Sequence, residues 1–263
     1  MQDCFSFADN LGPAKIIHVH EPSIGLRGIL VVDNVAKGPS IGGVRMAPDV
    51  SVEECARLAR AMTFKNAAAG LPHGGGKAVL FGDPKMPRGD KERLIRGMAQ
   101  ALRYAEDYIF APDMGTDEEC MAWIRDEIGR VVALPREVGG IPLDEIGATG
   151  FGLGHVADVA QEFADLALDG ARVAIQGFGA VGGKEIDRDD IIDVECDIWI
   201  PAARPDVIHS DNVDELKARL VIEGANIPVT EEAERSLHAR GVLCVPDFIA
   251  NAGGVICAAM EYQ

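Results

Sequence analysis

Three residues in this sequence are of types that hold anions or move protons, and each stands where such a residue is unusual. Lys77 follows three consecutive glycines in "GLPHGGGKAVL" (70–80) and leads straight into the apolar run Ala78-Val79-Leu80. A glycine loop lets the backbone approach a small ligand, and a lysine entering an apolar segment is drawn away from bulk water. Lys65 takes the next position in a stripe of Cys55, Leu58 and Met62 at helical spacing, so it falls on the face that the helix buries. A buried ammonium needs a negative partner, and no carboxylate lies one turn away on that helix. The chain holds only eight lysines, so two in such settings point to anion binding and proton transfer. A snorkelling Lys65 and a Lys77 that merely begins a strand are the plain alternative, and spacing leaves both open. Asp113 sits in a Pro-Asp-Met-Gly turn before a helix whose expected cap is Thr116, with Glu119 three residues on. An aspartate there is ordinarily a turn former.

The elements that must position these groups can be read from patterning. "KIIHVHEPSIGLRGILVVDN" (15–34) predicts two strands joined by a turn. His18 and His20 would share a strand face, but a lone His-x-His pair is ordinarily structural, and no metal site is assigned. Residues 51–70 open with a capping box, Ser51 to Glu54, and close on Gly70. A second helix runs from Thr149, with Val156, Val159, Phe163 and Leu166 as its apolar stripe and Gly170 as its stop. The short strand of "ARVAIQGFGAVGG" (171–183) then runs into a Gly-x-Gly-x-x-Gly turn at Gly177, Gly179 and Gly182. Such a turn at a strand end lets a pyrophosphate approach backbone N–H groups. Apolar runs at 196–202, 219–226 and 242–250 alternate with helical patterns such as 230–241, which predicts a parallel, helix-covered sheet. The fold class is therefore α/β with two domains, divided in the Gly- and Pro-rich stretch 135–148 into 1–147 and 148–263.

Composition excludes several classes of partner. A net charge of −17 argues against nucleic acid, which demands clustered Lys and Arg. The apolar runs are too short to cross a bilayer, so no membrane role is expected. The N-terminus reads as having no secretory signal, and six cysteines without a regular framework fit a reducing cytoplasm.

The segments "GPSIGGVRM", "MTFKNAAAGLPHGGGKAVL", "APDMGTDEE", "GFGAVGG" and "PDFIANAGGVI", in this order over nearly the whole chain, resemble the glutamate, leucine, phenylalanine and valine dehydrogenase family. The resemblance implies a substrate and oligomerisation domain followed by a Rossmann-like domain binding NAD or NADP, with catalysis in the cleft between them and a homo-oligomeric assembly. It implies that Lys65 grips the α-carboxylate of a small amino acid, helped by the backbone around Gly42 and Gly43, with Ile41, Asn251 and Val255 also facing the substrate. Lys77 becomes the catalytic acid/base and Asp113 the proton shuttle at nitrogen. Thr149, Gly177, Gly179, Ala180, Val181, Gly182, Ala202 and Asn226 fall at cofactor positions. Glutamate-specific members place a lysine where Ile41 stands, so an apolar substrate is expected, with Lys37 as the nearby alternative cation if the substrate is glutamate. A non-catalytic, regulatory amino-acid-binding homologue is the other alternative.

One departure stands out. After Gly183 the family continues into a helix, a second strand and an acidic residue for the ribose, whereas "KEIDRDDIIDVE" leads almost at once to the strand at Cys196. None of Asp187, Asp189 and Asp190 can be given the ribose role, so NAD and NADP remain equal expectations. Segments expected after Gly183 and after Gln263 are missing from the sequence, which predicts a longer working polypeptide.

Overall fold

The alternating β-branched residues of 15–34 form the expected hairpin in a computed structural model, which describes residues 5–143, 146–177 and 191–262. β1 (Lys15–Glu21) pairs antiparallel with β2 (Leu26–Asn34). β3 (Ser40–Ala47), α1 (Val52–Ala68), β4 (Gly74–Phe81), α2 (Arg88–Ala101), β5 (Tyr108–Pro112) and α3 (Glu118–Ile128) follow. The five strands make one mixed sheet in the order β1-β2-β4-β3-β5, with β3 parallel to both its neighbours. His18 and His20 are exposed on the edge strand, and no cluster of three metal-ligating side chains occurs among the described residues.

Ser51 caps α1 by accepting from Glu54 N, and Cys55, Leu58, Ala59 and Met62 are buried as the stripe requires. Cys55 and Ala59 pack on Ile29, Val31 and Val79. The opposite sheet face carries Leu30, Val44, Leu80, Tyr108 and Phe110, packed with Ile95, Met98, Met121 and Trp123 of α2 and α3. Each such buried side chain contributes about 1.5–3 kcal/mol. The glycines before Lys77 are not a loop, as the sequence suggested, but the first residues of β4. A Cβ on Gly75 would stand 2.0 Å from Thr63 N in α1, and one on Gly76 would stand 2.8 Å from the Tyr108 ring. Gly75 and Gly76 are glycines because α1 and β5 press against the strand, and Gly74 because a Cβ there would stand 1.7 Å from Asn34 O of β2.

In the second half, α4 (Ala148–Phe163), β6 (Val173–Gln176), β7 (Ile198–Pro201), β8 (Leu220–Ile222), α5 (Glu231–Ala239), β9 (Leu243–Val245), α6 (Asp247–Ala250) and α7 (Gly253–Tyr262) succeed one another. The sheet β6-β7-β8-β9 is wholly parallel, as the alternation predicted. Of the expected stripe, Val156 and Leu166 pack against this sheet, and Val159 and Phe163 do not. Leu153, Val156, Ala157 and Ala160 pack towards Ile198, Leu220 and Ile222, while Val159 and Phe163 are exposed. Alanines allow the close approach that bulkier side chains would prevent. The helix stops at Phe163, and Gly170, at φ +80°, belongs to the turn before β6.

Chain contacts define two units, 1–143 together with 255–263, and 144–254. The last residues, which the sequence reading left in 148–263, thus pack with the first unit. Glu261 accepts from Leu134 N (3.0 Å) and Ile141 N (2.7 Å), and Val255 and Ala258 join Ile41, Ile109 and Val132. An apolar terminal helix settles where apolar surface is on offer. Among the described residues no helix is long and apolar enough to cross a membrane.

Candidate active site

Sheet register assembles the first cluster. Ile41 of β3 lies opposite Gly75 of β4 and Val44 opposite Ala78, which brings Gly43 beside Lys77. Strand alternation then puts Ile41, Gly43 and Arg45 on the same face as Lys77. The Lys77 side chain is 3% exposed, and its Nζ lies 2.6 Å from Asp113 Oδ2. A Cβ on Gly43 would fall 3.3 Å from that Nζ and 2.7 Å from the Asp113 Cβ, so glycine keeps the space between them open. Gly42 and Gly43 are held from beneath by the buried Tyr108, whose hydroxyl donates to Gly42 O (2.6 Å) and reaches Gly43 O (3.2 Å).

Asp113 follows β5 directly. Its N–H donates to Thr116 Oγ1 (3.0 Å), and that hydroxyl donates to Val44 O (2.7 Å). Thr116 therefore fastens the turn to β3 and is not the helix cap; Asp117 caps α3, accepting from Cys120 N at 2.9 Å. A residue that sequence reasoning passed over completes the cluster. Arg45, its side chain 5% exposed, donates from Nε to Asp113 Oδ2 (3.1 Å) and from Nη1 to Glu54 Oε1 (2.5 Å). Its only sequence signal was an arginine inside an otherwise apolar strand, "GGVRM".

Two cations thus share one carboxylate oxygen. Burial alone would raise the Asp113 carboxyl, but Lys77 and Arg45 together hold it well below the usual carboxylate range. Burial lowers the Lys77 ammonium, Asp113 opposes that, and Arg45 adds to it; the net shift is downward. The result is a firmly ionised acid against a lysine whose proton is loosely held. Lys65 is buried on the inward face of α1, as its spacing predicted. Its neighbour Asn66 donates to Gly74 O (2.6 Å), tying the helix to the start of β4.

A second cluster forms at the carboxyl ends of β6, β7 and β8, where parallel sheets receive ligands. Gly177 has φ +116°, a conformation that favours glycine, and a Cβ there would meet Ala202 O at 3.1 Å. Asn251 Nδ2 donates to Gly224 O (3.2 Å), Ala225 O (3.0 Å) and Asn226 Oδ1 (3.2 Å), while its own Oδ1 is buried without a partner among the described residues. Beneath this turn Glu223 accepts from Asp247 N (3.0 Å), and Asp247 accepts from Ile227 N (2.8 Å). Burial first, then Asp247 and Glu234, push the Glu223 carboxyl up to about 8. Neither acid was singled out from sequence. Thr149 lies in the first turn of α4, with its Oγ1 3.0 Å from where a Cβ on Gly254 would be. Gly179, Ala180, Val181, Gly182, Asp187, Asp189 and Asp190 fall outside the described residues.

The structure thus brings Lys77, Asp113, Gly42, Gly43 and Ile41 together on one sheet. It gathers Gly177, Ala202, Asn226 and Asn251 at the ends of the other. Val255 packs with Ile41 in the first unit.

Comparison with known proteins gives a consistent picture. The family described as Glutamate/Leucine/Phenylalanine/Valine dehydrogenase matches residues 139–188 and 183–263, and the dimerisation domain of the Glu/Leu/Phe/Val dehydrogenases matches 13–130. A glutamate dehydrogenase of Thermotoga maritima is 34% identical over 299 residues, covering 89% of this chain and 72% of the relative. A leucine dehydrogenase of Bacillus subtilis is 30% identical over 299 residues, covering 98% and 81%. Among solved structures, hetero-hexameric glutamate dehydrogenase from Thermus thermophilus in its Leu bound form superposes with a TM-score of 0.85 at 27% identity, over 95% of this chain and 76% of that one. Both aligned lengths exceed the 263 residues of the chain, and the family match breaks into two pieces at 183–188. The relatives therefore carry interior residues that this chain lacks. With the family models matching residues 13–130 and 139–263, the chain belongs to the Glu/Leu/Phe/Val dehydrogenase family.

Proposed function

We propose that the protein is an amino acid dehydrogenase that converts an apolar L-amino acid reversibly to its 2-oxo acid and ammonia with NAD or NADP. The observation that carries this reading is the Lys77–Asp113 pair, a buried lysine of lowered proton affinity beside glycine-lined space. Lys65 binds the substrate α-carboxylate, helped by the Gly42–Gly43 backbone. Once Cα has been oxidised to the imino acid, the neutral Lys77 amine takes a proton from the water that attacks that carbon. Asp113 passes protons to and from the nitrogen, and ammonia leaves.

The residues present fit a dinucleotide. The left-handed Gly177 bares a strand end, and Asn251 Oδ1, which has no partner among the described residues, offers an acceptor. Gly177, Ala202, Asn226 and Thr149 would hold the dinucleotide, with Gly179, Ala180, Val181 and Gly182 completing the turn and Asn251 facing its reactive end. When bound, it accepts the hydride from Cα.

For the substrate, Ile41 is fully buried among Ile109, Val132 and Val255, whereas Lys37 is exposed in the segment between β2 and β3. A side-chain carboxylate against Ile41 would lose its solvation without gaining a partner, a cost of several kcal/mol. Nicotinamide reduction measured against a panel of amino acids with NAD and NADP tests the reading. Leucine, valine or phenylalanine should give the highest kcat/KM, and a higher value for glutamate would overturn the substrate class and favour a glutamate dehydrogenase. The break in the family match at 183–188 favours a second reading, a non-catalytic amino-acid-binding homologue. Thermal stabilisation by amino acids without turnover would select it. A homo-oligomer is proposed for the assembled protein, and sedimentation velocity checks it.

A further inference from the structure

Arg45 has no part in the scheme just given, yet it is the buried group most closely joined to it. It rises from β3 two residues beyond Gly43, and its guanidinium spans two carboxylates, Asp113 at 3.1 Å and Glu54 at 2.5 Å. Both Arg45 and Lys77 address the same oxygen, Asp113 Oδ2. A carboxylate serving lysine alone would hold that lysine's proton in place. One shared with a permanent cation holds it less firmly.

We propose that Arg45 is a positioning residue of this site: bridging Asp113 and Glu54, it fixes the Asp113 carboxylate opposite Lys77 and takes up part of its charge, so that Lys77 can give up and regain a proton. The proposal rests on reading Lys77 and Asp113 as the acid/base pair. Glu54 then acts as the counterweight. It anchors the far side of the guanidinium and sets how much of the Arg45 charge is left for Asp113. On β2, which pairs with β4, the buried Asp33 accepts from Arg60 Nε (2.9 Å) and Thr63 Oγ1 (2.6 Å) of α1. Cys55 of α1 donates to Lys77 O at 3.3 Å, and burial pushes its thiol up to about 12, so it stays neutral. Burial likewise holds the Tyr108 hydroxyl of β5 in its protonated form. Lys65 is buried on α1, the helix that packs across β4.

The arrangement makes opposed predictions for its two ends. In Arg45→Gln, Asp113 and Glu54 keep their negative charge, and the proton on Lys77 is held more tightly. In Glu54→Gln, Arg45 has only Asp113 to answer, and the proton on Lys77 is held less tightly. Lys77 is followed directly by NMR of protein labelled with 13Cε-lysine, its resonance assigned by its loss in Lys77→Ala. Its midpoint should rise by about one pH unit or more in Arg45→Gln and fall in Glu54→Gln. The acid limb of kcat/KM should move in the same two directions. Arg45→Lys should keep the limb near its original place while lowering kcat, because the charge remains and the two-sided grip is lost.

Midpoints that stay fixed, or that move the same way in both variants, overturn the proposal. Should Arg45→Gln fail to fold, Glu54→Gln decides alone, since that side chain is one-quarter exposed and tolerates the change. The NMR titration needs no turnover. A wild-type protein that oxidises no amino acid therefore counts against the dehydrogenase reading, while the Lys77 midpoint still decides the role of Arg45.

Discussion

Removing either lysine should do different damage. On the proposed roles, Lys77→Ala would delete proton transfer and leave the carboxylate grip, so turnover should vanish while calorimetry still records amino-acid binding. Lys65→Ala should chiefly raise KM. Equal losses of binding in the two variants would defeat that division of labour. For Asp113→Asn, the turn position read from sequence suggests a severe fall in kcat with little loss of stability. The packing changes the second half of that expectation. The carboxylate is 15% exposed and lies between two buried cations, and without its charge Lys77 and Arg45 face each other. Denaturant unfolding should show a loss of about 3–5 kcal/mol; an unchanged midpoint would mean that the cations relax into solvent.

Among the elements, the contact of α1 with β4 constrains the first cluster closely. Gly75→Ala would drive a Cβ against the backbone of Thr63 and force the helix outward, carrying Lys65 and Asn66 with it. The expected cost is about 1–3 kcal/mol, with a raised KM. Gly89→Ala in α2 meets nothing within 4 Å and should be neutral or slightly stabilising, which makes it the control. The ends of the parallel strands predict a pH dependence. Glu223 is raised from 4.5 to about 8, so folding favours its protonated form. The stability it contributes is fully present below pH 4.5 and is lost as pH rises to about 8. Glu223→Gln should flatten that part of the stability profile; a slope equal to the wild type's would place the titration elsewhere.

For the whole molecule, the shortened passage between Gly183 and Cys196 bears on cofactor choice. A ribose held by an ionised side chain gains about 1.5–3 kcal/mol from that hydrogen bond. None of the acids at 187, 189 and 190 can be assigned that contact. Fluorescence titration should therefore give NADH and NADPH dissociation constants within about tenfold of each other, a difference of roughly 1.4 kcal/mol. A hundredfold preference would show that another part of the protein supplies the ribose contact.

How far the sequence reaches follows from the range of the forces involved. A lysine on a helix's apolar stripe, another entering an apolar strand and a glycine turn at a strand end are local conflicts or local geometries, and they are visible in one dimension. Periodicity likewise fixed the existence and class of the elements, from the hairpin at 15–34 to the parallel order of β6 to β9. The choices among partners were not visible. Arg45 meets a carboxylate 68 positions away because β3 lies between β4 and β5. Val159 and Phe163 look like core until α4 turns its alanines to the sheet, and residues 255–263 pack with the first unit although they follow the second in the chain. Spacing along a chain determines which residues share a face. Which charges then share an oxygen is decided by strand order, because an ion pair forms across space and leaves no period in the sequence.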